Sequence, residues 1–369
     1  MTNALRFIRP DIQAMQAYAV QHSVGMVKLD AMENPFTLSP ELQAKLGARL
    51  GAVEVNRYPG ARIDDLKNAL AKYVDLPAGL GLMLGNGSDE LISLLSQACA
   101  VPGAQDRAKV VAPEPGFVMY GMSAQLQGLQ YIGVPLKADF ELDEAAMSAA
   151  IAQHEPAIVY IAYPNNPTAN LWDANAMAAV IAAAKQAGSI VAVDEAYQPF
   201  SSRTYMDVIR ANPAAHPHVV LMRTLSKFGL AGVRLGYMTG PAALIAQVDK
   251  VRPPYNISVL NYECALFALE HQDAFAVQAQ EICAQRAILL GALRAMPGVK
   301  AWDSDANMVL VRFPGADDAA QKIFDGLKAR GVLVKNVSKM HPLLARCLRL
   351  TVGTAEENAR LIQALQETL

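Results

Sequence analysis

His218-Val219-Val220-Leu221-Met222 is a short, continuously apolar run, closely followed by Thr224-Leu225-Ser226-Lys227. Runs of this length and apolarity, bounded by turn residues, read as buried strands. Four others fit: Lys109 to Ala112, Tyr131 to Val134, Ile158 to Ala162 and Ile190 to Val193. Helical stretches lie around and between them. Ser39-Pro40-Glu41 starts one, with Ser as N-cap and Pro in the first turn, and Leu42, Leu46 and Leu50 recur at helical spacing as far as Gly51. Gly87-Ser88-Asp89 opens another, with an apolar stripe of Leu91, Leu94 and Leu95, and Ala174 to Gln186 forms a third, closed by Gly188. Strands this apolar, separated by helices, predict an α/β fold whose mostly parallel sheet is covered on both faces. Ligands of such sheets bind at the carboxyl ends of the strands.

Pro253-Pro254 breaks the pattern. A long helical stretch runs from Val259 to about Met296, then a strand from Met308 to Phe313, a helix from Ala319 to Arg330 and a strand from Cys347 to Val352. This predicts a large α/β domain over residues 40–255, with residues 1–39 joining 256–369 in a smaller α+β domain.

The chain has 369 residues, 53% of them hydrophobic, so a sizeable core is expected. A net charge of −2 gives no electrostatic reason to expect nucleic acid or an anionic membrane as partner. Cys99, Cys264, Cys283 and Cys347 are far apart, without metal spacing, and read as reduced thiols of a cytoplasmic protein. Arg6, Arg9 and Asp11 interrupt the apolar residues near the start, unlike a signal peptide. No apolar run reaches membrane-spanning length.

Chemistry concentrates at the strand ends. A lysine such as Lys227 can form a Schiff base where burial lowers its pKa, although most lysines are solvated surface groups. Asp194, after Ile190 to Val193, reads as a capping carboxylate when taken alone, or as partner to a pyridinium nitrogen. Tyr197 is an ordinary rim aromatic, or a donor to that cofactor's phenolic oxygen. Asn165-Asn166-Pro167 is a strong turn signal, and an Asn amide there could reach the same oxygen. Gly85-Asn86-Gly87-Ser88 is a plain helix cap, or a phosphate cradle of N–H groups and helix dipole. Asp89 and Glu90 do not forbid an anion there, since their side chains can point away. Ser226 and Arg234 could close the phosphate site, Arg through its planar fork.

The order along the chain (glycine-rich loop, aromatic, Asn-Pro, Asp-x-x-Tyr, Ser-Lys, Arg) resembles the fold-type I pyridoxal-phosphate enzymes, aminotransferase class I/II. Within that class it is similar to the histidinol-phosphate aminotransferases. The likeness runs from Leu29 to Thr354. It is carried by Leu29-Asp30-Ala31-Met32-Glu33-Asn34-Pro35, Arg57-Tyr58-Pro59, Tyr163 to Thr168, Val193 to Tyr197, Thr224 to Arg234 and Cys347 to Thr354.

The resemblance implies a cytoplasmic homodimer that uses pyridoxal 5'-phosphate to move the amino group of L-histidinol phosphate to 2-oxoglutarate, giving imidazole-acetol phosphate and L-glutamate in histidine biosynthesis. Lys227 would bond to the cofactor and shuttle the proton. Asp194 would pair with the pyridinium nitrogen, Asn166 and Tyr197 would hold the phenolic oxygen, and Phe117 would stack on the ring. Gly87, Ser88, Asp89, Ser226 and Arg234 would surround the phosphate, and Tyr58 would reach it from the neighbouring subunit. Arg349 would bind the α-carboxylate of glutamate or 2-oxoglutarate, and Lys335 stands roughly where a second arginine would bind substrate phosphate. No metal is implied.

Four departures accompany the likeness. Arg234 follows Lys227 by seven residues, one fewer than in many relatives, which a shortened turn at Phe228-Gly229 would absorb. Ala169 replaces a frequent glycine, Met32 a common asparagine, and Lys335 the arginine. An aromatic aminotransferase and a phospho-amino-acid decarboxylase share the same framework. A nucleotide-binding dehydrogenase would need a third glycine where Glu90 stands. A cofactor-binding regulator would need a separate basic DNA-binding module, for which neither length nor charge remains.

Overall fold

The computed structural model describes residues 3–16, 21–60, 62–101 and 108–369. Two sheets organise them. The larger has seven strands in the order β2-β8-β7-β6-β5-β3-β4. These are β2 (Leu80–Gly85), β3 (Lys109–Glu114), β4 (Gln130–Pro135), β5 (Ile158–Ala162), β6 (Ile190–Asp194), β7 (Val219–Thr224) and β8 (Gly236–Pro241). Neighbours from β7 to β4 are parallel, whereas β8 runs antiparallel to both β7 and β2. The five expected strands are all present. β3, β5, β6 and β7 are buried almost continuously because helices cover both faces, as parallel crossovers require, while β4 at the edge of the sheet is only partly buried.

β2 and β8 escape the sequence pattern because each carries two glycines, Gly81 and Gly85 in β2 and Gly236 and Gly240 in β8. A glycine inside a strand marks a close backbone approach. A Cβ on Gly236 would lie 2.9 Å from the carbonyl carbon of Gly87 and from the amide nitrogen of Ser88. The bare glycine lets β8 press against the loop that opens the helix Ser88–Cys99.

The second sheet has five strands in the order β1-β11-β12-β10-β9: β1 (Val27–Leu29), β9 (Lys300–Ala301), β10 (Met308–Arg312), β11 (Val332–Asn336) and β12 (Cys347–Thr351). β1 pairs with β11 in parallel, which ties the N-terminal segment to the C-terminal part. The expected helix from Val259 to Met296 is two helices, Val259–Glu270 and Gln272–Arg294, divided at His271. The first packs Tyr262, Ala265 and Leu266 into a core with Leu66 and Leu70 of the helix Arg62–Tyr73, on the side of the large sheet. No helix among the described residues is long and apolar enough to cross a membrane.

Candidate active site

The site forms where β5, β6, β7 and the helix Ser88–Cys99 present their ends together. Asp194 is the last residue of β6 and is 3% exposed. Its Oδ2 accepts the Tyr120 hydroxyl at 2.8 Å, and its Oδ1 accepts the Ala196 N–H at 3.1 Å. Burial pushes its pKa up to about 6, against the pull of those two bonds.

Tyr197 lies one turn beyond. Asn166, buried in the loop after β5, donates through Nδ2 to the Tyr197 oxygen at 3.0 Å. The Asn166 Oδ1 accepts from Arg349 Nη1 at 2.7 Å, and Arg349 Nη2 donates to the Asp30 carbonyl at 2.7 Å. Arg349 belongs to β12 of the second sheet, so one guanidinium joins three segments. Asn165 instead braces its own loop, donating to Thr168 Oγ1 at 2.8 Å and to the Pro115 carbonyl at 3.0 Å.

Lys227 follows β7 in the turn Ser226–Leu230. This turn is wide rather than shortened, because Gly229 adopts φ 137° and Arg234 φ 52°. Two such residues reverse the chain sharply enough to return Arg234 to the same place. The half-buried Lys227 donates to the Ala31 carbonyl at 3.0 Å. Burial, then the positive charge of Arg349, lower its pKa to about 8. A fraction of this amine is therefore neutral, and nucleophilic, near physiological pH.

Opposite lies the anion cradle. Gly87 caps the helix Ser88–Cys99 with φ 81°, and a Cβ there would lie 2.6 Å from Arg234 Nη2. Arg234 Nη1 donates to Ser226 Oγ at 3.1 Å, and its Nη2 meets Asp89 Oδ2 at 3.4 Å. Glu90 turns away, accepting the Asn86 N–H and the Asn256 amide. Asp89 does not turn away and lines the site. The free amides of the helix start, Ser226 and Arg234 suit a phosphate monoester.

A cavity of 110 Å³ connects these groups. Ser88, Asp89, Phe117, Asn166, Asp194, Tyr197, Ser226, Lys227 and Arg234 line it, together with Tyr120, Met32 and Thr224, which the sequence reading did not assign. Tyr120 follows Phe117 by three residues, a helical spacing that could have suggested it. Tyr58 is absent from this wall: it is 75% exposed and stacks on Tyr255 with centroids 4.4 Å apart. Lys335 does not line the cavity either, but it stands directly across from Arg349 in the β11–β12 ladder. A larger cavity of 460 Å³ lies beside the helix Ala174–Gln186, walled mostly by apolar carbon. Among the described residues no three His, Cys, Asp or Glu side chains converge as a metal site.

A model of the family "Aminotransferase class I and II" matches residues 24–365. The chain belongs to this family. The class I and II aminotransferases most similar to it include the histidinol-phosphate aminotransferase of Paracidovorax citrulli (strain AAC00-1), 65% identical over 99% of this chain and 98% of that protein. The histidinol-phosphate aminotransferase of Polaromonas naphthalenivorans (strain CJ2) is also 65% identical, over 99% and 96%. Among solved structures, the histidinol-phosphate aminotransferase of Sinorhizobium meliloti in complex with pyridoxal-5'-phosphate superposes with a TM-score of 0.85. That match covers 98% of this chain and 97% of the other at 24% identity, which speaks for the fold. Within this family framework, two departures from the common pattern share a physical character. Met32 (φ 51°) and Ala169 (φ 66°) both occupy left-handed backbone, where asparagine and glycine are less strained.

Proposed function

We propose that this chain is a pyridoxal-phosphate-dependent aminotransferase that moves the amino group of L-histidinol phosphate to 2-oxoglutarate in histidine biosynthesis. Two relatives of that name, each 65% identical over nearly the whole chain, support the substrate. The carrying observation is the single cavity in which Lys227, Asp194, the Asn166–Tyr197 pair and the Ser226–Arg234 cradle face one another.

The donor set suits the cofactor group by group: a cradle for phosphate, two bonded polar side chains for a phenolic oxygen, a carboxylate for a ring nitrogen and an aromatic wall. When bound, pyridoxal phosphate supplies an electron sink for the carbon that loses its proton. The residues do the rest. Lys227, about half of it neutral near pH 8, would hold the cofactor through its carbonyl carbon and would accept the proton leaving substrate Cα. Asp194 keeps the ring nitrogen protonated. Asn166 and Tyr197 fix the phenolic oxygen, and Phe117 packs on the ring. Gly87, Ser88, Ser226 and Arg234 hold the phosphate, with Asp89 orienting Arg234. Arg349 receives the α-carboxylate of glutamate or 2-oxoglutarate, and Lys335, its neighbour across the ladder, offers a point charge to the phosphate of L-histidinol phosphate.

The active unit is a homodimer, with Tyr58 contributed to the partner's phosphate site. The exposure of Tyr58, away from its own chain's cavity, supports this. The four cysteines are free, in keeping with a cytoplasmic location. The β1–β11 pairing supports placing Val27–Leu29 with the C-terminal domain, whereas Arg9 donates to the Gln125 and Leu126 carbonyls of the large domain, and the helix Val259–Glu270 packs on that domain beyond the division near residue 255.

The test is visible absorbance of the holoenzyme as L-histidinol phosphate is added without acceptor. The cofactor band is expected to bleach and to return with 2-oxoglutarate. A band that ignores histidinol phosphate but bleaches with phenylalanine or tyrosine would reassign the substrate.

A further inference from the structure

Tyr120 is 1% exposed and sits in the helix Met119–Gln127, as part of the cavity wall. It cannot turn away. Its ring lies flat on Tyr160, with centroids 4.4 Å apart and planes 3° from parallel. Its edge meets Phe117, with centroids 5.5 Å apart. Tyr160 is pinned in turn, donating to the Ile92 carbonyl at 3.3 Å. The one polar atom of this stack that reaches the site is the Tyr120 hydroxyl, 2.8 Å from Asp194 Oδ2.

The simple interpretation is a buried phenol finding a partner, since buried polar groups are nearly always bonded. The arrangement goes further. One oxygen of Asp194 accepts Tyr120, the other accepts the Ala196 N–H, and each oxygen keeps a lone pair for the cavity. A carboxylate held at one oxygen can swing; one held at both cannot. Donation from a phenol also makes a carboxylate a weaker base.

We propose that Tyr120 is a positioning residue for the reaction: its hydroxyl fixes the orientation of the Asp194 carboxylate and keeps that carboxylate the weaker base, so that the shared proton stays on the cofactor's ring nitrogen. The proposal rests on the reading of Asp194 as the ring nitrogen's partner. The other ionisable groups around Asp194 are Asp89 and Glu195, which oppose its charge, the buried phenols of Tyr160 and Tyr197, and Lys227 and Arg234 across the cavity. The Tyr120 phenol itself stays protonated, because burial and Asp194 push its pKa well above the ordinary value.

The experiment compares the holoenzyme with Tyr120→Phe, Asp194→Asn and a chain carrying 3,5-difluorotyrosine at position 120. Two quantities are read: the midpoint pH of the cofactor's visible band without substrate, and the rate of cofactor release. Tyr120→Phe keeps the ring stack and removes only the donor. It is expected to move the midpoint in the same direction as Asp194→Asn, by about one pH unit, and to speed release about tenfold. Difluorotyrosine, a stronger donor, is expected to move the midpoint the opposite way, which keeps the test open if the Phe variant folds poorly. If Asp194→Asn shifts both quantities and neither change at position 120 shifts either, the proposal is overturned. If Asp194→Asn itself leaves both unchanged, the assignment of Asp194 fails instead.

Discussion

Arg349 and Asn166 are 183 residues apart in sequence, yet a guanidinium N–H of one donates to the amide oxygen of the other at 2.7 Å. This bond fixes which end of the Asn166 amide faces Tyr197. With its oxygen taken by Arg349, only the NH2 remains to donate towards the site. Arg349→Ala should therefore disorder the cofactor's phenolic-oxygen contacts as well as weaken substrate binding. A hydrogen bond involving a charged group is commonly worth about 1.5–3 kcal/mol, so kcat/KM should fall by about 10–10². A double-mutant cycle with Asn166→Ala should return a coupling of about 1 kcal/mol or more. Additive effects would show that the two residues act separately.

Lys227 should make cofactor capture depend on pH near 8. Its lowered pKa means the neutral amine accumulates as pH rises through about 8, far below the usual lysine range. Stopped-flow absorbance of apoenzyme mixed with pyridoxal phosphate should show a rate rising across that window. Arg349→Gln removes a lowering charge and should move the midpoint upward. Lys227→Ala should bind the cofactor without the covalent band and lose transamination.

The buried charge of Asp194 should cost the apoenzyme stability. Its pKa is raised in the fold from 3.8 to about 6, so the folded state holds the proton more tightly than the unfolded chain. The penalty is absent below pH 4, grows between pH 4 and 6, and is complete above, where it reaches about 3 kcal/mol. Asp194→Asn apoenzyme should thus match wild type in denaturant melts near pH 4 and exceed it by about 1–3 kcal/mol at neutral pH. The same variant should bind the cofactor more weakly.

Gly87→Ala would place a methyl 2.6 Å from Arg234 Nη2, at a residue with φ 81°. With ψ at 170° this is backbone that essentially only glycine adopts, so the strain is about 1–3 kcal/mol. Displacing Arg234 from the cradle removes a charge-assisted contact, so the dissociation constant for pyridoxal phosphate should rise about tenfold or more. Equilibrium dialysis against the wild type measures it.

If Tyr58 serves the partner's site, two crippled variants should complement. Lys227→Ala and Tyr58→Ala chains, unfolded together and refolded, form hybrids in which one site holds both residues. Recovery of about a quarter of wild-type activity is expected from random pairing. No recovery would place Tyr58 outside the partner's site.

Much of this arrangement is legible in sequence because the chemistry sits at the ends of strands that are apolar throughout. Ile158–Ala162, Ile190–Asp194 and Val219–Thr224 deliver Asn166, Asp194 and Lys227 to one edge of the sheet. β2 and β8 are hidden because glycines dilute their strand signal: Gly236 is required by the contact with Gly87 and Ser88, and Gly240 by the approach of Val219 and Val220 in β7. The reach of Arg349 to Asn166 has no local signature, being fixed by how the two sheets meet. The turn after Lys227 reads wrongly by length alone, since a residue at φ 137° changes what a given number of residues can span.

Asn166 is held from β12, in the last twenty-five or so residues of the chain. Any slippage of the second sheet against the large one would therefore be felt at the Asn166 amide, through Arg349, even while the strands that lead to Lys227 and Asp194 keep their register.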